Sequence, residues 1–535
     1  MPKNTGKVSK VFILILLIGI CAASAWASGG SASAAPAAGS VTASGYPIVT
    51  DGSVTLKFFI GLNVTAANYI RNYSENITFQ EIMKKTGIKL DFIHPVAGQE
   101  TEAFNMMIAS QDLPDLIDGP QRYRGGIGAG LADGVYLDLT PYIEKYAPDY
   151  YNLVRSDIAI WREVTTPENK FAAFYQIKPV TDPALNRIVF RDDVLKDLGV
   201  KPPVTIDEYT AIFKAYLAKT GKAAYIPLEN GRERFFMGAY DIYNAFYKEN
   251  DIIKFGPYEP RYKDYLQLFA DWYKQGYLYS GFASTRAQQR QTMFLQGETA
   301  AIQWDVDNGL IMGREAGVNV IPTLYPRLKM GDKLHVDDWE AYPVKPAGGG
   351  GVISISNMTK YKEQAIRFLN YGYTTEGSLI YDFGVEGVTF TMVNGQPKLT
   401  DYALHNPTLT PEGVNYVLLV FHGPKLTRPG RDRNPNALLF PDIYQLKTDL
   451  AADPDVDKEF ALPTYTLTAD DATRSGKIMA DVNTYVDEMT LKFITGVEPL
   501  SRFDAYIAQL KSYGIEDAIA MNQKAYNIYM SKTTF

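Results

Sequence analysis

The sequence predicts an α/β fold built around a parallel sheet, and the stretch from Phe79 to Asp118 carries that prediction. Apolar residues recur at helical spacing from Phe79 to Met83, and residues 88–92 then alternate as in a half-buried strand. A second amphipathic helix and a short apolar strand at 115–117 complete the unit. Strands and helices in this order favour parallel pairing with a right-handed crossover.

The polar loop after the last of these strands is the first candidate site. Asp118, Arg122 and Tyr123 follow the carboxyl end of the strand, which is the edge where open α/β sheets bind ligands. A plainer alternative exists for the first two, because aspartate before Gly-Pro caps turns and arginine is mostly a surface residue. The pattern therefore indicates either a binding loop or an ordinary turn.

Composition sets the class of protein. The chain has 535 residues, 46% of them hydrophobic and 21% charged, which is typical of a globular protein with two large or three medium domains. The net charge of −7 argues against a broad nucleic-acid surface, since neutralising phosphates requires clustered Lys and Arg. We therefore predict no nucleic-acid partner.

The amino-terminal residues predict export. Residues 1–27 form a predicted signal peptide, in which three lysines precede an apolar run from Val11 to Cys21 and Ala-Trp-Ala offers a cleavage site. Cys21 is the single cysteine, and its lipidation, which would anchor the protein to a membrane, is the alternative. Both routes predict a periplasmic or extracytoplasmic location and a mature fold without disulfides. Residues 28–45, rich in Ser, Ala and Gly, predict a flexible tether.

The rest of the chain alternates predicted helices, strands and turns. Thr205 and Glu208 have capping-box spacing, which predicts a helix start. Further predicted features, in chain order, are a hinge crossing at 181–183, a strand at 299–303 that stops at Trp304, a strand at 317–322, a long loop at 324–351, a second crossing at 384–387, and long helices at 469–493 and 503–530.

Motifs for catalysis and cofactors are weak in this sequence. The four histidines show no metal spacing, and no G-x-S-x-G elbow occurs. The glycines at 125–130 lack the third glycine of a dinucleotide loop. We therefore predict no metal, no cofactor and no enzymatic activity. A secreted polysaccharide-active enzyme stays open as an alternative, because spacing cannot select two facing carboxylates among 60 acidic residues.

Several short motifs, taken in order, resemble the extracytoplasmic solute-binding proteins of carbohydrate ABC importers. These form the maltodextrin-binding-like superfamily, and the chain resembles its lipoprotein or aldouronate-type branch over nearly the whole mature length. The motifs are Met107–Leu116, Asp133–Leu139, Arg191–Leu195, Gly297–Ala301 and Ala365–Tyr371. The chain departs at Ala173–Gln176, where many relatives have Tyr-Gly-hydrophobic-Pro.

The resemblance implies a class II periplasmic-binding-protein fold with two α/β lobes, hinge crossings and a helical carboxyl-terminal region. On this basis we predict one lobe from 46–182 and 306–383, and the other from 183–305 and 384–535. The implied function is to bind a sugar by hinge closure and deliver it, as a monomer, to a membrane permease. A ligand sensor for a membrane receptor is an alternative with the same fold.

The resemblance and the chemistry of sugars together give the predicted ligand-binding residues. A sugar needs polar groups around its edge and an aromatic plane against its C–H face. The predicted set is Asp118, Arg122, Tyr123, Asn230, Trp304, Asp305, Trp339, Gly351 and Glu386. Besides Asp118 and Arg122, three of these have plainer alternatives, since Trp304 suits a core, Asn230 suits a turn and Glu386 suits a hinge.

Overall fold

The computed structural model describes residues 41–178, 186–336, 342–344, 351–428 and 431–535. The strands are β1 Thr55–Phe59, β2 Lys89–Ile93, β3 Leu116–Asp118, β4 Asn186–Arg191, β5 Tyr225–Ile226, β6 Phe246–Glu249, β7 Ile252–Phe255, β8 Ala301–Asp305, β9 Val320–Pro322, β10 Leu334–His335, β11 Ile353–Ile355, β12 Phe390–Val393, β13 Gln396–Leu399 and β14 Val456–Asp457.

The helices of the first half are α1 Ile77–Thr86, α2 Glu100–Ser110, α3 Gly126–Ala132, α4 Ile143–Tyr146, α5 Pro148–Val154, α6 Ile158–Val164, α7 Asp192–Leu198, α8 Ile206–Thr220, α9 Arg234–Gly238 and α10 Tyr262–Lys274. Those of the second half are α11 Ala287–Leu295, α12 Val306–Glu315, α13 Lys362–Asn370, α14 Thr375–Phe383, α15 Asp401–Leu404, α16 Pro411–Val417, α17 Pro435–Leu439, α18 Pro441–Ala451, α19 Ala469–Thr495, α20 Phe503–Tyr513 and α21 Ile515–Ser531.

The first sheet has the strand order β11-β3-β1-β2. β1 pairs in parallel with both β2 and β3, while β11 runs antiparallel to β3. Asn76 caps α1, which connects β1 to β2, by accepting hydrogen bonds from the N–H groups of Thr78 and Phe79. The predicted parallel unit is confirmed, and the carboxyl ends of β1, β2 and β3 therefore lie at one edge.

The second sheet has the strand order β5-β8-β4-β9. β9 pairs antiparallel with β4, which places residues 320–322 in this sheet. The prediction that residues 306–383 belong to the first lobe is therefore wrong for residues 320–322, because their backbone hydrogen bonds go to β4. Trp304 of β8 packs against α12, which extends the same conclusion to residues 306–315.

Each of the two four-stranded sheets has its own hydrophobic core, and these cores define a first and a second lobe. Among the described residues, core membership changes three times along the chain, between Ile177 and Ile188, between Val320 and Val344, and after Val420. Residues 390–420 pack in the first core, so their predicted place in the second lobe is wrong. The fold is thus an α/β structure of two discontinuous lobes.

The two predicted hinge crossings have different outcomes. Gly384–Gly387 lies between Phe383 and Phe390, whose rings are 5.9 Å apart in the first core. This segment is therefore a turn within one lobe, and the prediction of a crossing there is wrong. The other predicted crossing, at 181–183, lies outside the described residues.

Long helices cover the second lobe near the carboxyl terminus. The helix predicted at 469–493 is confirmed as α19, whose buried residues join the second core. The single helix predicted at 503–530 is instead two helices, α20 and α21. Gly514 separates them with a φ of 94°, a left-handed conformation that glycine adopts without steric cost.

The last residues of the chain cross back to the first lobe and form a carboxyl-terminal strap, residues 529–535. Lys532 Nζ donates hydrogen bonds to Thr166 O at 2.7 Å and to Thr165 Oγ1 at 2.9 Å. The ring of Phe535 meets Trp161 of α6 edge-on at 5.7 Å. Because α21 packs on the second lobe, this strap ties the two lobes together.

Candidate functional site

A cavity of about 290 Å³ opens at the carboxyl edge of the first sheet. It lies where Ile60 follows β1, Asp118 ends β3 and Gly351 precedes β11. Most of its wall is aromatic or aliphatic, and its aromatic side chains include Phe58, Tyr73, Phe79, Phe368, Tyr381, Tyr416 and Phe421. Parallel sheets bind ligands at this edge, so the cavity is the candidate site.

Asp118 is the buried acid of the cavity. The backbone N–H groups of Gly351 and Gly119 lie close enough to its carboxyl group to lower the pKa, while the Gly119 N–H donates its 3.1 Å hydrogen bond to Val352 O. Its Oδ1 atom is buried and has no hydrogen-bond partner among the described residues. Burial raises the pKa of Asp118 to about 6, because desolvation disfavours the charged form more than the neighbouring Arg122 favours it. The carboxyl group is therefore available to accept a hydrogen bond from a ligand.

Arg122 folds back beside Asp118 because the residue that follows Asp118 is a glycine. Gly119 has a φ of 71°, and a Cβ atom built there would lie 1.6 Å from Arg122 Nη1. That nitrogen donates a 3.5 Å hydrogen bond to the main-chain oxygen of Asp118. The turn thus needs glycine both for its backbone conformation and for the space that the guanidinium group fills.

The opposite wall comes from residues 416–424. Tyr416 Oη lies 3.5 Å from His422 Nε2, and His422 Nδ1 lies 3.4 Å from Gln176 Oε1. Burial, together with nearby cations, lowers the pKa of His422 to about 4. The imidazole is therefore uncharged at neutral pH, and it offers a polar edge between aromatic side chains.

A buried ion pair holds this wall in place. Lys425 Nζ lies 2.7 Å from Asp382 Oδ1, and both side chains are almost fully buried. The same nitrogen donates to Val420 O at 2.6 Å, while Asp382 Oδ2 accepts from the N–H of Arg428 at 2.7 Å. The pair therefore fastens the segment that carries Phe421 and its neighbours to α14.

Tyr416, Phe421 and His422 line the cavity but are not among the residues predicted from the sequence. A signal for them exists, because His422-Gly423-Pro424 follows a buried apolar run just as Asp118-Gly119-Pro120 does. Two polar residues in the same context, each followed by Gly-Pro, meet across one cavity. The repeated pattern would have indicated both walls of the site.

Three predicted residues line the cavity and two from the same lobe do not. Asp118, Arg122 and Gly351 lie in its wall. Tyr123 instead donates a 2.7 Å hydrogen bond to exposed Asp133, so it lies outside the wall. Glu386 is exposed on the turn before β12, because that turn is at the surface of the first lobe and not at a crossing.

Trp304 lies in the second core and not at a ligand-facing surface. Its side chain is 4% exposed, meets Phe294 edge-on at 6.0 Å and packs over Gly309 of α12. The prediction of an aromatic platform at this position is wrong, because Trp304 points to the helix-covered side of β8. The plainer alternative, a core tryptophan, is the correct one.

The other predicted residues of the second lobe have structural roles near its sheet edge. Asp305 caps α12 by accepting a 2.8 Å hydrogen bond from the N–H of Asn308. Burial raises its pKa to about 6, and the carboxylate of Glu412 in the first lobe adds to the increase. Asp305 therefore lies within electrostatic range of the first lobe. Asn230 accepts a 3.1 Å hydrogen bond from the N–H of Arg232, as expected of a turn residue.

Some predictions fall outside the described part of the chain. Trp339, Cys21 and the predicted signal peptide lie there. Within the described ranges, no group of three or more His, Cys, Asp or Glu side chains could hold a metal ion. No helix in these ranges combines the length and apolar character needed to cross a bilayer.

Comparison with known proteins identifies the family of this chain. The model for bacterial extracellular solute-binding proteins matches residues 78–382, which is more than half of the chain. The polygalacturonan/rhamnogalacturonan-binding protein YtcQ of Bacillus subtilis is 25% identical over 250 residues, covering 45% of this chain and 48% of YtcQ. The chain thus spans about half the length of that relative. The fructooligosaccharide ABC transporter substrate-binding protein FusA of Streptococcus pneumoniae is 21% identical over 526 residues, covering 89% of this chain and 91% of FusA.

Solved structures of similar fold support the two-lobed architecture. The alginate-binding protein AlgQ2 superimposes with a TM-score of 0.72 at 23% identity, covering 89% of this chain and 99% of AlgQ2. FusA in complex with kestose gives a TM-score of 0.73 at 19% identity, covering 90% of this chain and 100% of FusA. At these identities the likeness establishes the fold. By its match to the family model, the chain belongs to the bacterial extracellular solute-binding proteins.

Proposed function

We propose that this protein binds a sugar or oligosaccharide outside the cytoplasm and delivers it unaltered to the membrane permease of an ABC importer. One observation carries the proposal: the cavity combines aromatic side chains with a buried carboxyl oxygen of Asp118 that lacks a partner among the described residues. The ligands named for two relatives, polygalacturonan and rhamnogalacturonan for YtcQ and fructooligosaccharides for FusA, support a carbohydrate.

The wall chemistry suits a sugar ring. Tyr416 and Phe421 offer aromatic faces to C–H groups, while Asp118 accepts from hydroxyl donors and Arg122 donates to hydroxyl oxygens. A buried acceptor without a partner is costly, and a ligand hydroxyl removes that cost. A purely apolar ligand would leave Asp118 unsatisfied, so the site favours a ligand with hydroxyl groups.

Hinge closure is the proposed mechanism. The cavity belongs to the first lobe, and Asp305 of the second lobe lies within electrostatic range of the helix that carries Tyr416. A sugar that contacts both lobes binds the closed form more tightly and shifts the population towards it. We propose that the permease recognises this closed monomer, and that Trp339 completes the ligand site from its loop.

A ligand screen tests this function. The mature chain, which begins at residue 28 after the predicted signal peptide, is incubated with kestose, polygalacturonate oligosaccharides and alginate oligosaccharides, and its melting temperature is measured. A ligand of the native state raises the melting temperature as its concentration exceeds the dissociation constant. Calorimetry then gives the affinity. If every sugar of a broad library leaves the melting temperature unchanged, the proposal is wrong.

A matched pair of variants locates the site. Tyr416→Ala is expected to weaken binding by about 1–3 kcal/mol, because the aromatic contact and its burial are lost. Tyr402→Ala is the control, since Tyr402 is 48% exposed and does not line the cavity. Equal affinities for the two variants would show that the cavity is not the sugar-binding site. Release of shortened sugar products, detected by chromatography, would instead support the enzyme alternative.

A further inference from the structure

We propose that the cavity selects a neutral, hydroxyl-rich sugar unit and rejects a sugar unit that carries a carboxylate. This inference rests on the proposed function, because it names the substrate class of the same site. It depends on which charged groups reach the cavity wall and on which are shielded from it.

Among the residues that the structure describes, the wall carries more acidic side chains than positively charged ones. Its Asp, Glu, Lys, Arg and His side chains, among the described residues, are Glu100, Asp118, Arg122 and His422. His422 is uncharged at neutral pH because burial and nearby cations lower its pKa to about 4. The single guanidinium group of Arg122 already lies beside Asp118. A ligand carboxylate would therefore meet two acids and one compensated base.

Other cations lie behind the wall. Lys178, Lys425 and Arg433 all lower the pKa of His422, yet none of them lines the cavity. Lys425 is held by Asp382 at 2.7 Å. The guanidinium group of Arg433 lies 5.7 Å from the ring centre of Phe421, and it is this ring that faces the cavity. These cations stabilise the neutral imidazole and make no contact with the cavity.

The surroundings of Asp118 favour a neutral sugar over an acidic one. The Oδ1 atom of this buried carboxyl group lacks a donor among the described residues. A sugar hydroxyl supplies a donor, whereas a ligand carboxylate supplies none and repels the acid. Two like charges about 4 Å apart in such a site repel strongly enough to change affinity by about a hundredfold or more. Because Arg122 offsets part of this repulsion, we expect a preference of about tenfold or more for the neutral sugar.

The test compares sugars that differ only in this group. Oligosaccharides of glucose, galactose and mannose are each paired with the corresponding uronate oligosaccharide, and affinities for the mature chain are measured by calorimetry at neutral pH. We expect at least one neutral member to bind about tenfold or more tightly than its acidic partner. An acidic member that binds as tightly as its neutral partner, or more tightly, overturns the inference while the proposed sugar-binding function stands.

Asp118→Asn provides the second arm, because it removes the charge while keeping the size of the side chain. The ratio of neutral to acidic affinity is expected to fall by about tenfold. Asp133→Asn is the matched control at an exposed position outside the cavity, and its ratio should stay unchanged. Glu100→Gln, at the start of α2, serves as a second cavity variant should Asp118→Asn fail to fold. Unchanged ratios in every cavity variant that folds would overturn the inference, whereas binding to neither class would count against the proposed function itself.

Discussion

Removing the carboxylate of Asp382 should destabilise the first lobe far more than removing an acid from the surface of the same helix. Asp382 and Lys425 are almost fully buried, with 2.7 Å between the charged atoms. Their Coulomb attraction at that distance is about 6 kcal/mol for an effective dielectric constant of about 20. Desolvation of both groups offsets most of this attraction in the intact pair. In Asp382→Ala, however, Lys425 keeps its burial and loses its counter-ion.

The expected loss for Asp382→Ala is about 3–5 kcal/mol in the free energy of unfolding. Glu376→Ala is the matched control, because Glu376 also lies in α14 and pairs with Lys85 at 2.6 Å. That pair is exposed, with relative side-chain exposures of 39% and 52%. Removing this pair should lower the free energy of unfolding by about 0–1 kcal/mol. Urea denaturation, followed by circular dichroism and tryptophan fluorescence, measures both variants.

The same variant should also affect ligand binding. The ion pair anchors the segment with Phe421 and His422, so its loss should weaken sugar affinity by more than the loss of Glu376 does. Calorimetry below the unfolding transition separates this effect from unfolding. If Asp382→Ala and Glu376→Ala lose equal stability, the ion pair is not what holds this wall, and our account of the cavity's rigidity is refuted.

Three further predictions concern the second lobe, the strap and the cavity acid. Trp304→Ala should lower the free energy of unfolding by about 3–5 kcal/mol, measured by denaturation, while an effect mainly on sugar affinity would contradict a core position. Lys532→Met should lower the free energy of unfolding by about 1.5–3 kcal/mol, because the hydrogen bonds from its charged amino group to Thr165 and Thr166 are lost. Lys524→Met, which removes an exposed ion pair, should lower it by less in the same assay. Burial raises the pKa of Asp118 to about 6, so its ionised form, the better acceptor, is lost as the pH falls through that value. Calorimetry should then show affinity falling about tenfold from about pH 7 to about pH 5, and a flat profile would exclude Asp118 from contact.

Local patterns predicted the elements of this chain well. The capping-box spacing of Thr205 and Glu208 is confirmed, since the Thr205 side chain accepts from the N–H of Glu208 and the Glu208 carboxylate accepts from the N–H of Thr205. The parallel unit from β1 to β3 is also confirmed. Hydrophobic periodicity and helix caps depend on neighbouring residues, so both can be predicted from the sequence. The position of Asp118 at a sheet edge, where it lines the cavity, could be predicted because strand ends are visible in the sequence.

Long-range arrangement was harder to predict. Trp304 ends a strand in a way that suits both a platform and a core, and only the packing of α11 and α12 decides between them. The Gly384–Gly387 turn resembled a crossing because glycines mark both hinges and hairpins. The lobe boundaries depend on strand pairs far apart in sequence, such as β4 with β9. No local periodicity carries that information.

The carboxyl-terminal strap has a practical consequence for anyone who purifies or immobilises this protein. Phe535 packs on Trp161, and Lys532 is buried against α6, so the end of the chain is part of the structure that links the lobes. A peptide tag or surface linker fused after Phe535 is therefore expected to disturb these contacts between the lobes. A tag fused ahead of residue 41 is attached outside the strap.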